Sequence, residues 1–428
     1  MTQSNLTFTE SHEIPEGYKL TDLGQCPLIW EVKPLKDVAK VIDSLHMTPS
    51  FSNDGYPMVR VADIKTGNLD LSSTLKVNRH VFLNFIRNYK PQKNDIVLSR
   101  VGSYGVSSFV ATEEEFCIGQ NTVVIKSNIN ANYLYYALNA KTTWQQIENG
   151  SFGSGYKSLS LKNINELKIY VPDILEQQKI AKALSDTDAL ISELEKLIEK
   201  KQAIKTATMQ QLLTGKTRLP EFALREDGTP KGYKDSELGQ IPDDWYVRKL
   251  GELVEITSGE SPSKFNFVND GIPYFKVEQL NNGNFYAEST PYSVKLGKTI
   301  LAGSLIFPKR GASILSNKIR ILKVNACMDT NLMALTCSHE LNPNYLLYSL
   351  SYGGLDKVAD TTSIPQINNK HILPYKIFYP FIGEQIRISS ILVDLENDIE
   401  LSQQKVEKLR KIKLGMMQEL LTGKTRLV

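Results

Sequence analysis

The triplet Gly-Lys-Thr occurs three times in this chain, beginning at Gly215, Gly297 and Gly423, and is the first candidate for chemistry. A phosphate-binding loop of the common nucleotide-binding type needs another glycine five residues earlier and a strand that leads into a helix. The residues at that earlier position are Gln210, Tyr292 and Gln418. The sequence therefore does not predict a nucleotide-binding loop.

Metal sites and nucleophilic catalysis are not indicated either. The five histidines are scattered without the HxH or HExxH spacing of metal ligands, and no pattern typical of a catalytic triad accompanies them. The four cysteines show no CxxC spacing, so neither a zinc site nor a disulfide framework is expected. We predict that the chain is not an enzyme and binds no cofactor or metal itself.

Basic and polar side chains in loops that follow predicted strands offer a different chemistry. The segment from Arg100 to Gly105 and the segment from Lys309 to Ser313 occupy corresponding places in the two halves of the chain. Arginine suits bidentate contacts with guanine, whereas serine and lysine suit phosphates. The predicted DNA-binding residues are Arg60, Arg100, Ser103, Tyr104, Lys157, Lys276, Lys309, Arg310, Ser313, Lys318 and Arg320. The alternative is that surface loops collect such residues without binding anything.

Net charge supports nucleic-acid binding only weakly. The formal charge is +3 and the isoelectric point is near 8.4. A DNA-binding face would then have to arise from folding that gathers lysine and arginine on one side.

The elements that would position these loops are repeated along the chain. MQQLLTGKTRL at residues 209–219 returns as MQELLTGKTRL at 417–427, and NDGYPMVRVADI at 53–64 corresponds to NDGIPYFKVEQL at 269–280. A repeat of about 200 residues indicates two whole domains rather than a solenoid. We predict an N-terminal arm over residues 1–16, a first domain over 17–173, a helix over 174–214, a linker over 215–231, a second domain over 232–381, and a second helix with the C-terminal tail over 382–428.

The two predicted helices carry apolar residues in alternating steps of four and three, which is the pattern of a coiled-coil seam. The seam positions are Ile180, Leu184, Ile191, Leu194 and Ile198 in the first helix and Ile388, Leu392, Leu395, Ile399, Val406 and Leu409 in the second. A helix with one apolar seam needs a partner, and we expect the two helices to pack antiparallel between two domains related by a near two-fold axis. Docking of each helix on an unrelated protein is the alternative.

Short predicted strands bounded by Gly, Asn and Asp dominate both globular halves. We predict an α+β fold in which each half is built on a curved, mainly antiparallel sheet with short helices, including one near residues 133–147 and one near 345–357. No apolar run approaches the length of a membrane span, so we expect a cytoplasmic protein that does not bind membranes.

Each half opens with an LGxxPxxW segment, at Leu23 to Trp30 and at Leu238 to Trp245. Each helix is entered through a Pro…Glu-Gln…Ile signature and ends in LLTGKTRL. With these motifs the chain resembles, over residues 14 to 428, the specificity subunit of type I restriction-modification systems. One difference is that the first half reads Cys26-Pro27-Leu28 where the second reads Ile241-Pro242-Asp243.

This resemblance implies two target-recognition domains, each of which reads one half of a split site in double-stranded DNA, with the helix pair as a spacer of fixed length. It also implies docking of two methyltransferase subunits and, through them, of restriction subunits. S-adenosylmethionine, ATP and magnesium would then belong to those partners. Two other classes stay open from the sequence, namely a tandem adaptor that binds only proteins and a standalone methyltransferase.

Overall fold

The computed structural model describes residues 14–150, 158–281, 285–360 and 364–428 of the chain. They fall into two compact units. Unit 1 contains residues up to Glu195 together with Lys405–Val428, and unit 2 contains Lys196–Gln404. Each unit therefore combines one globular half of the sequence with parts of both long helices.

The helices are short within the globular halves and long at their ends. They are α1 Leu35–Val38, α2 Arg79–Phe85, α3 Ala131–Leu138, α4 Lys141–Gly150, α5 Leu161–Asn165, α6 Ile174–Leu213, α7 Pro220–Ala223, α8 Pro343–Gly353, α9 Asn369–Ile372 and α10 Ile382–Leu420. The helix predicted near residues 133–147 is thus two helices. Asn139 is the C-cap residue of α3, and its side-chain amide donates to Ser107 Oγ. The first helix therefore ends at this residue.

Unit 1 contains two larger sheets and two two-stranded sheets. Its strands are β1 Tyr18–Thr21, β2 Gly24–Pro27, β3 Glu31–Pro34, β4 Ala39–Asp43, β5 Phe51–Ser52, β6 Tyr56–Val59, β7 Gly67–Asn68, β8 Leu75–Val77, β9 Ile96–Ser99, β10 Ser107–Phe109, β11 Cys117–Ile118, β12 Thr122–Ser127 and β13 Lys168–Val171. The orders are β4-β12-β9-β10-β7, β11-β6-β8-β5, β1-β2 and β13-β3. Only the β10–β7 and β11–β6 pairs are parallel among these strands.

Unit 2 repeats this plan. Its strands are β14 Tyr233–Ser236, β15 Gly239–Pro242, β16 Tyr246–Lys249, β17 Val254–Ser258, β18 Phe267–Val268, β19 Ile272–Phe275, β20 Tyr286–Ala287, β21 Ser293–Val294, β22 Leu305–Pro308, β23 Arg320–Leu322, β24 Cys327–Met328, β25 Leu332–Cys337 and β26 Lys376–Tyr379. The orders are β17-β25-β22-β23-β20, β18-β21-β19-β24, β14-β15 and β16-β26. The predicted fold class, two repeated α+β domains with mainly antiparallel sheets, is confirmed.

Each core forms where the five-stranded sheet meets a buried aromatic helix. In unit 1, β9 is buried along its whole length, and Tyr133 and Leu134 of α3 are fully covered. In unit 2, β22 and the α8 residues Tyr345 and Leu346 take the same roles. Strands buried on both faces read as continuous apolar runs, which is the pattern of both segments.

The long helices pack antiparallel within each unit. In unit 1, Lys413 pairs with Asp188 at 2.6 Å and Arg410 pairs with Glu195 at 2.6 Å. In unit 2, Lys201 pairs with Asp398 at 2.8 Å, and Lys205 pairs with Glu396. Residue numbers fall along one helix as they rise along the other, which is the antiparallel arrangement.

The predicted seam positions face inward in both helices. All eleven are buried or half-buried, whereas the neighbouring Leu190, Leu197 and Ile204 are exposed. The four-and-three spacing thus identified the covered stripe, since helical periodicity is a local property of the sequence.

In each unit the duplicated LLTGKTRL segment packs against a tryptophan. Trp245 Nε1 donates to Glu384 Oε2 at 2.9 Å, and the Arg218 guanidinium contacts the same carboxylate at 2.8 and 2.9 Å. Trp30, Glu176 and Arg426 form the equivalent cluster in unit 1. These contacts hold the end of one helix, the start of the other and the globular half together. They explain the repeated Trp, Glu and Arg.

Candidate nucleic-acid interface

Three chain segments bring polar side chains to one edge of the five-stranded sheet in unit 1, the edge at which its strands end. Arg100 follows β9, Asn121 precedes β12, and Asp43 ends β4. Since these strands are antiparallel neighbours in the order β4-β12-β9, the three residues meet, and Arg100 N donates to Asn121 O at 2.8 Å. A Cβ on Gly102 would lie 3.8 Å from Val61 Cγ1, so the loop after β9 also reaches the segment after β6. We call Asp43, Arg60, Asp63, Arg100, Ser103 and Asn121 the polar edge of unit 1.

Arg100 is held firmly by other parts of the protein. Its Nη1 donates to both Asp43 carboxylate oxygens at 2.9 and 3.0 Å, and its Nε donates to Leu159 O at 3.1 Å. The Arg100 side chain is only 17% exposed. Arg100 therefore ties strand β4 to the segment around Leu159, and most of its hydrogen-bonding capacity is used inside the unit.

Arg60 is more accessible than Arg100. Its Nε and Nη2 donate to the two carboxylate oxygens of Asp63 at 3.0 and 3.1 Å, and its side chain is 38% exposed. Asp63 Oδ2 also accepts from Arg60 N at 2.8 Å, which fixes the short 3-10 turn Val61–Asp63. These hydrogen bonds raise the pKa of Arg60, so the side chain stays cationic.

The other two candidates of this edge differ in exposure. Ser103 is exposed, and its carbonyl accepts from Ser99 Oγ, which closes the loop after β9. Tyr104 is half-buried and packs edge-on against Trp144, with 6.5 Å between ring centroids. Of these two, Ser103 is the side chain that a ligand could reach. Lys157 lies outside the described residues.

Unit 2 carries an equivalent polar edge, formed by Ser258, Lys276, Gln279, Lys309 and Asn331. Lys309 N donates to Asn331 O at 2.8 Å, which repeats the Arg100–Asn121 contact. Lys309 Nζ donates to Ser258 Oγ at 2.9 Å. Ser258 ends β17 opposite Met333, as Asp43 ends β4 opposite Val123, so the two basic residues contact the same position of the sheet. Burial lowers the pKa of Lys309.

Lys276 takes the place of Arg60 in unit 2, with different surroundings. Its backbone N–H donates to Gln279 Oε1 at 2.8 Å, as that of Arg60 does to Asp63. Its ammonium lies 3.5 Å from the centre of the Tyr292 ring and 5.2 Å from that of Phe267. The backbone geometry of the turn is thus repeated, whereas the side-chain chemistry is not.

The remaining candidates of unit 2 divide between the edge and the interior. Arg310 is exposed beside Lys309, and Ser313 lies in the short 3-10 turn Ala312–Ser316. Lys318 Nζ donates to Asn281 Oδ1 at 2.6 Å, and Arg320 donates to Leu280 O at 2.9 Å. Burial lowers the pKa of Arg320. Lys318 and Arg320 therefore hold the segment Val277–Asn281 rather than joining Lys309.

Sequence reasoning missed the partners of the basic residues. Asp43, Asp63, Ser258 and Gln279 were not among the candidates, although each orients one of them. Asp63 and Gln279 stand three residues after Arg60 and Lys276 in the repeated segments, which is a signal that the sequence does contain. Asp43 and Ser258 are separated from their partners by more than 50 residues and give no such signal.

The described residues show no group of His, Cys, Asp and Glu that could hold a metal ion. Among the same residues, no helix is long and apolar enough to cross a membrane. The arrangement offers hydrogen-bond donors on two similar edges.

Comparisons with known proteins point to one family. The model of the type I restriction modification DNA specificity domain matches residues 27–206 and 242–411, one match in each half of the chain. The putative type I restriction enzyme MjaX specificity subunit of Methanocaldococcus jannaschii is 28% identical over 96% of this chain and 97% of its own length. The MjaVIII specificity subunit of the same organism is 26% identical over 98% and 96%.

Solved structures share the fold. The S subunit of a type I restriction-modification system from M. genitalium has a TM-score of 0.58 at 17% identity and covers 92% of this chain and 96% of its own. A chain from a structural study of complex assembly and conformational transition of the type I system has a TM-score of 0.54 at 16% identity, covering 94% and 99%.

Proposed function

Because the chain belongs to the type I restriction modification DNA specificity family, we propose that its two units each recognise one half of a bipartite target in double-stranded DNA. The chain supplies the DNA-sequence specificity of a type I restriction-modification system and is not its catalytic subunit. The observation that carries the proposal is the pair of polar edges. They have the same backbone positions but different side chains.

This difference suits a protein that recognises two different short sequences. The pairs Arg60–Asp63 and Arg100–Asp43 in unit 1 become Lys276–Gln279 and Lys309–Ser258 in unit 2. A shared backbone would place both edges against DNA in the same way, while the changed donors and acceptors would select different bases.

Two linked recognition units are needed on energetic grounds. A well-recognised base pair contributes about 1 to 3 kcal/mol, so one unit that touches a few pairs cannot select a single site in a genome. A rigid link makes the second binding event intramolecular, provided that the separation is right. We assign this spacer role to α6 and α10, which are clamped to each globular half by the Trp–Glu–Arg clusters.

Docking of methyltransferase subunits is the second part of the proposal. Lys216 and Gln210 recur as Lys424 and Gln418, and all four are exposed. Within the described residues none of these side chains makes a hydrogen bond or an ion pair, unlike the Thr and Arg side chains of the same motif. Each lysine also lines a crevice of its own unit. Identical, unused side chains in two otherwise divergent units fit two copies of one partner.

The remaining partners follow from the same assignment. Restriction subunits would join through the methyltransferase subunits, and S-adenosylmethionine, ATP and magnesium would bind to those subunits rather than to this chain. We place the assembled complex in the cytoplasm, where it would have access to the DNA of the cell.

The test is an exchange of one recognition domain. Residues 17–173 are replaced by the equivalent segment of a relative, the complete complex is expressed in cells, and modified bases are mapped by sequencing. One half of the methylated motif should change and the other should stay. The reciprocal exchange of residues 232–381 is the control and should change the other half. Changes in both halves from a single exchange would contradict the proposal.

A further inference from the structure

The Arg60–Asp63 pair has a geometry that leaves a specific set of donors free. Asp63 accepts from Nε and from one N–H of Nη2, which is the side of the guanidinium. The end of the guanidinium, formed by Nη1 and the second N–H of Nη2, has no recorded acceptor among the described residues. These are two parallel N–H groups, and they match the O6 and N7 acceptors of a guanine in the major groove.

Arg60 is also fixed in place before any ligand binds. The Asp63 side chain is 9% exposed and is itself held by the Arg60 backbone N–H. The stem of Arg60 lies over Gly119, where a Cβ would be 3.6 Å from Arg60 Cγ. Since the rotamer is already selected, little side-chain entropy remains to be lost on binding.

The other basic residues at corresponding places do not share this property. The Arg100 guanidinium is engaged by Asp43 and by Leu159 O. In unit 2, Lys276 has a single ammonium, which lies against the Tyr292 ring. A lysine is a point charge and cannot make the planar two-point contact of arginine.

We propose that Arg60, oriented by Asp63, recognises a guanine in the half-site bound by unit 1, and that unit 2 makes no such contact through Lys276. This assignment rests on the proposed recognition of one half-site by each unit. Arg60 is the contacting residue, and Asp63 is a positioning residue. Arg100 and Asp43 stabilise the polar edge of unit 1.

Charge gives a second consequence of the same pair. The Asp63 carboxylate neutralises the Arg60 guanidinium, so the pair carries no net charge toward the DNA backbone. Its contact should then contribute base discrimination without the release of counterions that a phosphate contact brings. Salt dependence can therefore separate a base contact by Arg60 from a phosphate contact.

The experiment compares Arg60→Lys, Asp63→Asn and the wild-type chain in the complete methyltransferase complex. Asp63→Asn keeps an oxygen for the Arg60 backbone N–H but removes the charged grip on the guanidinium. Modified motifs are mapped by sequencing, and binding is measured on oligonucleotides that differ at one base pair. Both variants should lower discrimination at one G·C pair of one half-site by about 5- to 150-fold. The other half-site should be unchanged, and in Arg60→Lys, which leaves the charge of the pair as it is, the slope of log K against log salt should stay near that of the wild type.

Gln279→Asn in unit 2 is the matched control, and it should leave the first half-site as it is. Unchanged discrimination at every base pair in Arg60→Lys would overturn the inference, because a lysine can replace an arginine at a phosphate but does not reproduce its planar two-point contact with guanine. A half-site without any G·C pair would overturn it as well. If Asp63→Asn fails to fold, Arg60→Lys decides, since that side chain is partly exposed and keeps its charge.

Failure of this inference can be distinguished from failure of the proposed function. If the domain exchange changes one half-site but the Arg60 and Asp63 variants change nothing, only the guanine contact is wrong. If the exchange itself fails to alter one half, the assignment of half-sites to units is wrong.

Discussion

Replacement of Gly215 by alanine should loosen the end of α6 in unit 2 by a predictable amount. Gly215 has a φ of +69°, in the left-handed region that L side chains rarely adopt. Its Cβ would lie 2.5 Å from Pro242 Cδ and 2.7 Å from Pro242 Cγ. The proline ring cannot swing aside, so the turn or the strand must move.

Two costs add in this substitution. The left-handed conformation costs a non-glycine residue about 1 to 2 kcal/mol. Overpacking against a rigid neighbour adds about 1 to 3 kcal/mol. We therefore expect the local free energy of unfolding to fall by about 2 to 5 kcal/mol for Gly215→Ala.

Gly228→Ala is the matched control. Gly228 has a φ of +81°, but a Cβ there would meet nothing within 4 Å. It should incur only the conformational cost of about 1 to 2 kcal/mol. The difference between the two variants isolates the contact with Pro242.

Hydrogen exchange of the full chain measures these changes locally. In Gly215→Ala, protection of peptides within residues 209–219 should fall strongly, by about tenfold for each 1.4 kcal/mol. Gly423→Ala, where a Cβ would lie 2.4 Å from Pro27 Cδ, should affect residues 417–427 and not 209–219. Equal effects at Gly215 and Gly228 would show that the contact with Pro242 adds no cost. Loss of protection in both copies of the motif from one substitution would show that the effect is not local.

Three other outcomes are expected. Burial raises the pKa of Asp244, but hydrogen bonds from Arg218 and Lys231 outweigh it and lower the pKa overall. The ionised carboxylate therefore stabilises the fold at pH values above its unfolded pKa of about 3.9, and this contribution is lost as pH falls through the lower folded pKa. Asp244→Asn should make the free energy of unfolding, measured in urea at acidic pH, depend less on pH. Trp245→Phe removes the donor to the buried Glu384 and should lower the free energy of unfolding by about 1.5 to 3 kcal/mol in denaturant titrations. Trp144→Phe, whose ring nitrogen has no acceptor among the described residues, should lower it by less. Lys216→Glu and Lys424→Glu should each remove one of two bound methyltransferase subunits in native mass spectrometry without changing the melting temperature; retention of both subunits in the double variant would contradict the docking surface.

The helices and their covered stripe were predictable from the sequence because helical periodicity is local. Ile180, Leu184 and Ile388 are almost fully buried, as their spacing indicates. The sequence also identified the repeated Trp and Arg, since both recur at matching positions. Their common partner, a buried Glu in the Glu-Gln signature, became visible only in the fold.

The hydrogen-bond partners of the basic candidate residues could not be predicted in the same way. Arg100 and Asp43 meet because β12 lies between β4 and β9, and strand order is not a local property of the sequence. The same holds for Arg320, because its acceptor, Leu280 O, belongs to a segment that is distant in the sequence. The Arg60–Asp63 pair is local, but the sequence alone does not show which N–H groups of the guanidinium donate to the carboxylate.

We propose that the helix pair sets the distance between two DNA-recognising units. The most direct measurement inserts one heptad into each helix where the chain passes between the units, after Glu195 in α6 and after Gln404 in α10. Seven residues add about 10.5 Å, or about three base pairs at 3.4 Å each. Sequencing of modified bases should then show both half-sites unchanged and the unread gap between them about three base pairs longer. An unchanged gap in an active complex would show that the helix pair does not set this distance.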